Sequence, residues 1–334
     1  MLEQLHIKAE KIMKKLLCAL FAATFCQAAP ALADTYPSKP IKLVVPLAPG
    51  GTADVLGRLL AQKLNEKYGQ SVIVENRPGV GGNIGAENVA RSDPDGYTLL
   101  FGTIGIHSTF QIYKDLKYNP TNDLKPVVIL AETPNVLVVP KNVSLANTAA
   151  IIAESKAKPE SLFFGSAGFG SSTHMAGELF RFQSHAAISH IPYKGSGPAL
   201  TDLVAGRLQL MFENLPTALP LIQAGQLRAV AVTSAERAPS LPNVPTIAQD
   251  GLPGYAFTAW FTISAPAGTP DAIVSKLNND IRAVMLDPAL QPRLAEMGVT
   301  PVPGNRDAAA TRAFIGEETQ KFGAMISQAN LVAQ

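Results

Sequence analysis

Cysteine is nearly missing from this chain: among 334 residues there are two, Cys18 and Cys26, and a single tryptophan, Trp260. Both cysteines fall within the first 33 residues, so whatever folds beyond them has no disulfide framework and no thiolate to hold a metal. Charge is scarce as well, at 16% of residues against 47% hydrophobic, which excludes a disordered chain and allows a sizeable core. The first 33 residues carry four lysines and two glutamates; without them, 24 basic residues face 24 acidic ones. Zero net charge leaves no electrostatic footprint for nucleic acid or an anionic membrane surface. The chain also lacks the sequences that announce common enzymes. There is no G-x-S-x-G elbow and no G-x-x-x-x-G-K-[ST] loop, and Gly79-Val80-Gly81-Gly82-Asn83-Ile84 breaks the dinucleotide fingerprint at its last glycine. The histidines beyond residue 33 stand at 107, 174, 185 and 190, without metal-ligand spacing. The expectation is a binding protein that is not an enzyme and needs no cofactor or metal.

What the N-terminus does have is an address. Met13-Lys14-Lys15 is a short basic start, followed by an apolar run of about 14 residues from Leu16 to Ala29 and the small-x-small site Ala31-Leu32-Ala33. That run is short of the ~20 residues needed to span a bilayer. The pattern predicts a signal peptide over residues 1–33, a start at Met13, a mature chain from about Asp34 and a periplasmic location. Cys26 follows Ala-Thr-Phe, a poor lipoprotein box, so lipidation is not expected.

Beyond the signal, short apolar stretches alternate with helical ones, the pattern of an α/β protein with a parallel sheet. Strands are predicted at 41–45, 71–75, 98–102, 136–139, 162–165, 187–191, 208–212 and 228–232, with an extended aromatic run at 255–264. Helices are predicted at 52–67, 85–91, 147–156, 171–182, 198–205 and 216–224, then at 270–285, 288–297 and from 306 onward. Ligands of such folds gather at the carboxyl ends of strands and in the crevice between lobes.

Four strand ends draw attention. Pro49-Gly50-Gly51-Thr52-Ala53-Asp54 joins a strand end to a helix start. Two glycines let backbone approach a ligand, and the helix start offers free N–H groups and the positive end of the macrodipole. An ordinary turn in which Thr52 caps the helix fits equally well, and a carboxylate at Asp54 would weaken an anion seat. The run Ser166-Ala167-Gly168-Phe169-Gly170-Ser171 repeats this grammar in the second half and leads to His174, which is placed to pair with Glu178 at i+4 or to meet a ligand. Lys194, in Tyr193-Lys194-Gly195-Ser196-Gly197-Pro198, could reach a carboxylate or stay solvated. Glu213 follows the strand at 208–212, where it either lines a cleft or caps the next helix. Thr103 and His107, just past the strand at 98–102, complete the candidate set.

Taken in order, these pieces resemble one family. Tyr36-Pro37-Ser38-Lys39-Pro40-Ile41, Glu75-Asn76-Arg77-Pro78-Gly79, Pro94-Asp95-Gly96-Tyr97-Thr98-Leu99 and Gly170-Ser171-Ser172-Thr173-His174-Met175 look like the periplasmic solute receptors of tripartite tricarboxylate transporters, the Bug or TctC type. The Gly50-Gly51 turn and Pro192-Tyr193-Lys194-Gly195 fit the same pattern. The resemblance implies an α/β, two-lobe periplasmic-binding-protein-like fold of type II with a hinge of two crossover strands, near 131–136 and 255–264. Lobe 1 would combine 34–133 with 254–334, and lobe 2 would span 134–253. It implies a small carboxylate ligand, often a dicarboxylate, held by backbone amides of the loops 49–54 and 166–171. The partners implied are that ligand and the membrane permease, with the receptor acting as a monomer. Many family members have Asp at the position of Glu213, which leaves the far end of the ligand open. A sensor presenting the acid to a histidine kinase would use the same fold, and a periplasmic enzyme is the remoter alternative.

Overall fold

The computed structural model describes Met1 and residues 36–159, 161–302 and 307–333; the signal-peptide and start-site expectations lie outside them. Lys39–Gln334 form one compact unit. The unit begins with β1 (Ile41–Val45), α1 (Thr52–Tyr68), β2 (Val72–Asn76), α2 (Asn83–Ala90), β3 (Thr98–Thr103) and the single turn α3 (Ile104–His107). Helix α1 buries Leu56, Leu59, Leu60 and Leu64, the face expected from their spacing, and ends at Gly69, whose positive φ lets its N–H close on Asn65 O. Both β2 and β3 run parallel to β1.

The next strand, β4, differs from the expectation. It runs from Leu124 to Pro140 rather than over 136–139 alone. Lys125, Pro126, Glu132 and Pro134 hide its first half in the sequence. A register shift between Pro126 and Val128 accommodates the first proline, which has no N–H for the ladder, and a second shift lies between Ile129 and Ala131. After β4 come α4 (Thr148–Ala157), β5 (Leu162–Ser166), α5 (Ser172–Ser184), β6 (Ile188–Pro192) and α6 (Ser196–Val204). Then follow β7 (Leu210–Asn214), α7 (Leu215–Gln223) and β8 (Leu227–Val232). The chain closes with β9 (Thr258–Pro266), α8 (Asp271–Met285), α9 (Gln291–Glu296), β10 (Thr300–Pro301) and α10 (Ala308–Gln328).

A purely parallel sheet is not what forms. The strand order is β2-β1-β3-β9-β4-β7-β5-β6, with β8 and β10 also on β4. Strand–helix alternation makes β1–β3 and β5–β7 locally parallel, but β9 pairs antiparallel with both β3 and β4. Strand β4 pairs antiparallel with β9 over Leu124–Pro134 and with β7 and β8 over Asn135–Pro140. One long strand thus belongs to two sheets, and the fold has two lobes. Each lobe has its own core. Val44, Ala86, Leu100, Ile106 and Leu124 pack in the first; Val136, Leu203, Met211 and Leu215 pack in the second. A fully buried leucine contributes roughly 1.5–3 kcal/mol, so each cluster stabilises the lobe it lies in.

Candidate functional site

Strand β1 ends in Pro46-Leu47-Ala48-Pro49-Gly50-Gly51, and α1 starts at once with Gly51 as N-cap. Gly50, at φ +85°, turns its N–H toward Asp54 Oδ2 at 3.1 Å. Asp54 also accepts from Asn76 Nδ2 at 3.0 Å and pairs with Arg58 at 2.9 Å. Burial raises its pKa, but the bonds from Arg58, Asn76 and Gly50 outweigh that and hold the carboxyl below its usual value. Asp54 is therefore ionised and occupied within its own turn. Pro49 and Gly50 line an outer groove with Gly197 and Pro220, away from the inner space.

The second loop is satisfied internally in the same way. Ala167 N–H donates to Thr173 Oγ1 at 2.8 Å, Gly168 N–H to Ser166 Oγ at 3.0 Å and Gly170 N–H to His174 Nδ1 at 3.0 Å. Ser171 caps α5 by accepting from His174 N–H. His174 lies beneath the loop, with Nε2 3.6 Å from Glu178 Oε1 and its ring 4.0 Å from that of His190. Despite burial, Glu178 is held below its usual pKa by His174 and Arg181. Ser166 Oγ meets His190 Nε2 at 2.6 Å.

Between the loops lies a small cavity. Gly51, Thr52 and Ala53 line it from α1, and Thr103 and Ile104 from the start of α3. From the other lobe come Ala167 just after β5, Ser171 and Ser172 at the start of α5, Ser196 at the start of α6, and Asn214 just before α7. Leu47, Gly81, Trp260 and Phe261 complete the wall. Among the described residues no charged side chain lines this cavity. Its polar character comes from hydroxyls, one amide and helix starts, whose first-turn N–H groups have no partner within their helix. Positive dipole ends without a cation suit an anion, while Trp260, Phe261, Leu47 and Ile104 suit a hydrocarbon chain.

Supporting contacts fix these walls. Asn135 Nδ2 donates to Phe212 O at 2.7 Å, so its Oδ1 receives Asn214 Nδ2 at 3.1 Å. Trp260 Nε1 donates to Glu318 Oε2 at 3.0 Å, and the Phe314 ring meets Trp260 edge-on at 5.4 Å. His107 is buried on the other side of Trp260, with Nε2 3.1 Å from Ser264 Oγ; burial pushes its pKa down to about 4.

Among the described residues, several hydrogen bonds join the lobes around the cavity. Ala48 N–H donates to Lys194 O at 2.9 Å, Thr109 Oγ1 to Gly170 O at 2.7 Å and Tyr113 Oη to Phe169 O at 3.0 Å. Thr52 Oγ1 and Thr217 Oγ1 are 3.0 Å apart. Gly81, at φ +60°, passes so close that a Cβ would lie 2.1 Å from Tyr113 Oη.

Of the residues singled out from sequence, Gly51, Thr52, Thr103, Ala167 and Ser171 come together at the cavity. Gly168, Phe169 and Lys194 face an outer groove beside Tyr113. Ser166, Gly170, His174 and His107 form the layer behind, and Glu213 is wholly buried in β7. Sequence reading passed over Gly81, Ser172, Ser196, Asn214, Trp260 and Phe261. Ser172 and Ser196 stand inside runs that had drawn attention, and Gly81 inside the broken dinucleotide pattern. Trp260 has no local signal, because it arrives from β9, far along the chain.

The family model of the tripartite tricarboxylate transporter family receptor, TctC, matches residues 56–331. The chain belongs to this receptor family. It is 40% identical over 311 residues to protein BugT of Bordetella pertussis, covering 92% of this chain and 95% of BugT. Among solved structures it is similar to Rpa4515 of R. palustris with adipate, at 40% identity and a TM-score of 0.86, covering 89% of this chain and 99% of that one. It is also similar to MatC of Rhodopseudomonas palustris with bound malate, at 31% identity and a TM-score of 0.83, covering 87% and 100%. The chain is thus a solute-binding receptor of a periplasmic family, and not an enzyme. Among its described residues no helix is long and apolar enough to cross a membrane.

Proposed function

We propose that this receptor captures a small dicarboxylate between its lobes and delivers it to the membrane permease of a tripartite tricarboxylate transporter. The observation that carries the reading is the convergence of the starts of α1, α5, α6 and α7 on one cavity that no charged side chain lines. Lobe 1 supplies the start of α1; lobe 2 supplies the starts of α5, α6 and α7. The cavity measures only about 20 Å³ as the lobes stand, so they must part to admit a ligand. A carboxylate at each end of a short chain would then meet one set of N–H donors each, with Trp260 and Phe261 along the hydrocarbon between them. Adipate and malate, bound by the two relatives in their solved structures, have this form. Lobe 1 comprises residues 34–133 and 254–334, lobe 2 comprises 134–253, and the crossings near 131–136 and 255–264 act as the hinge. Gly51, Thr52, Thr103, Ala167 and Ser171 contact the ligand, while Asp54, His174 and Glu213 act from behind the wall.

A thermal-shift screen of mono- and dicarboxylates on the chain beginning at Asp34 tests this. A ligand at 100 times its Kd adds about 2.7 kcal/mol of stability. Dicarboxylates are expected to raise Tm by several degrees and monocarboxylates of equal length by less. A panel in which amines or sugars stabilise and no acid does would overturn the reading. Delivery is tested by deleting the neighbouring permease gene, which should abolish receptor-dependent uptake.

A further inference from the structure

Glu213 is buried in β7 and touches none of the charges that usually justify a buried carboxyl. Its Oε1 accepts from Thr217 Oγ1 at 2.6 Å, and its Oε2 has no hydrogen-bond partner among the described residues. It lies close behind the cavity, since Ser196, whose hydroxyl meets its carboxyl, lines that wall. The groups around it are neutral: Thr217 on α7, Ser196 on α6, the Asn214 N–H, and Val136 across the strand pair. Ionisable groups on the elements beside it are turned to other partners or positions. Asp54 and Arg58 on α1 pair with each other, and Arg293 and Glu296 on α9 line the outer groove beside Thr217.

We infer that Glu213 is a proton-coupling residue: it takes up a proton when a dicarboxylate enters the cavity, so that capture of the acid is linked to proton uptake from solvent. This rests on the dicarboxylate reading above. Two influences compete over the carboxyl. The start of α7, which follows directly at Leu215, favours the ionised form. Complete burial with one oxygen unpartnered favours the acid and lifts the pKa to about 7, although the Thr217 and Ser196 hydroxyls and the Asn214 N–H temper the rise. A ligand carboxylate decides between them. A like charge about 6 Å away at an effective dielectric near 20 shifts a proton equilibrium about a hundredfold toward the acid. The proton belongs on Oε2, because Oε1 continues to accept from Thr217 in either form. The contact between Thr217 and Thr52 then survives protonation, and closure and charge neutralisation proceed together.

Titration calorimetry of the mature receptor decides the matter. The titrants are adipate, malate and whichever dicarboxylate gives the largest thermal shift, all fully ionised above pH 6.5. At pH 8, the measured binding enthalpy plotted against the ionisation enthalpy of the buffer should show uptake approaching one proton per ligand. Kd should weaken by up to tenfold per pH unit above 7. In Glu213→Gln the proton uptake should vanish and the affinity become flat with pH. Binding by the wild type with no net proton uptake overturns the inference and leaves the receptor function standing, as does undiminished uptake in Glu213→Gln. If no acid binds at any pH, the dicarboxylate reading fails and takes this inference with it. Should Glu213→Gln not fold, the wild-type slope decides alone.

Discussion

Thr217 donates its hydroxyl proton to Glu213 at 2.6 Å, so in its 3.0 Å contact with Thr52 it can only accept. The direction of a bond between the two lobes is therefore set by a carboxyl buried in one of them. Thr52→Val should remove this bond and weaken ligand binding roughly two- to tenfold, the net contribution of one hydrogen bond. Small-angle scattering at subsaturating ligand should show a larger mean radius of gyration than for the wild type. Equal affinities in the two proteins would mean that the contact does not support closure.

Gly81 is a second point where the lobes meet. Its φ of +60° disfavours a side chain, and a Cβ would stand 2.1 Å from Tyr113 Oη and 2.7 Å from Phe169 O. Gly81→Ala should lower affinity more than tenfold by holding the lobes apart, while the cost to folding stays near the ~1 kcal/mol of a left-handed alanine. Calorimetry and urea unfolding on the same variant separate the two effects. A large loss of stability with unchanged affinity would contradict this.

The protein should lose stability in acid through one buried and one partly buried histidine. Burial lowers the pKa of His107 to about 4, and burial, His174 and Arg181 lower that of His190 to about 2. Both groups bind protons more readily in the unfolded chain, so folding stability is complete above the ordinary value of about 6.5 and declines as pH falls below it. His107 alone should contribute a loss of about 3 kcal/mol between pH 6.5 and 4. His107→Gln should flatten the profile of unfolding free energy against pH in that window; an identical slope would place the acid sensitivity elsewhere.

Trp260 offers a built-in reporter, because it is the only tryptophan of the chain and lies on the cavity wall. Saturating dicarboxylate should change its emission. Glu318→Ala removes the acceptor of its indole N–H. That variant should move the free receptor's emission to longer wavelength and weaken binding severalfold, although Glu318 lies on α10 and not on the cavity. An emission spectrum unaffected by ligand would mean that Trp260 does not face the bound acid.

Local pattern determined a good deal here. The leucine spacing of α1 marked its buried face, and glycines with hydroxyl residues after β1 and β5 marked the two loops that bracket the cavity. Those features depend on neighbours within about four residues, which a sequence displays directly. The first half of β4 was hidden by prolines, the first of them accommodated by a register shift visible only once β9 lies beside it. Partner choice decided the rest. The loop amides at Gly50, Ala167, Gly168 and Gly170 are taken by Asp54, Thr173, Ser166 and His174, leaving the helix starts as donors. Trp260 reaches the wall from β9 and Asn214 from β7, and Glu213 is sealed behind Thr217 and Ser196. Burial and the choice among possible partners, near or far along the chain, are properties of the packed structure, so the sequence indicated a clamp on an acid, and only the tertiary structure decided which atoms form it.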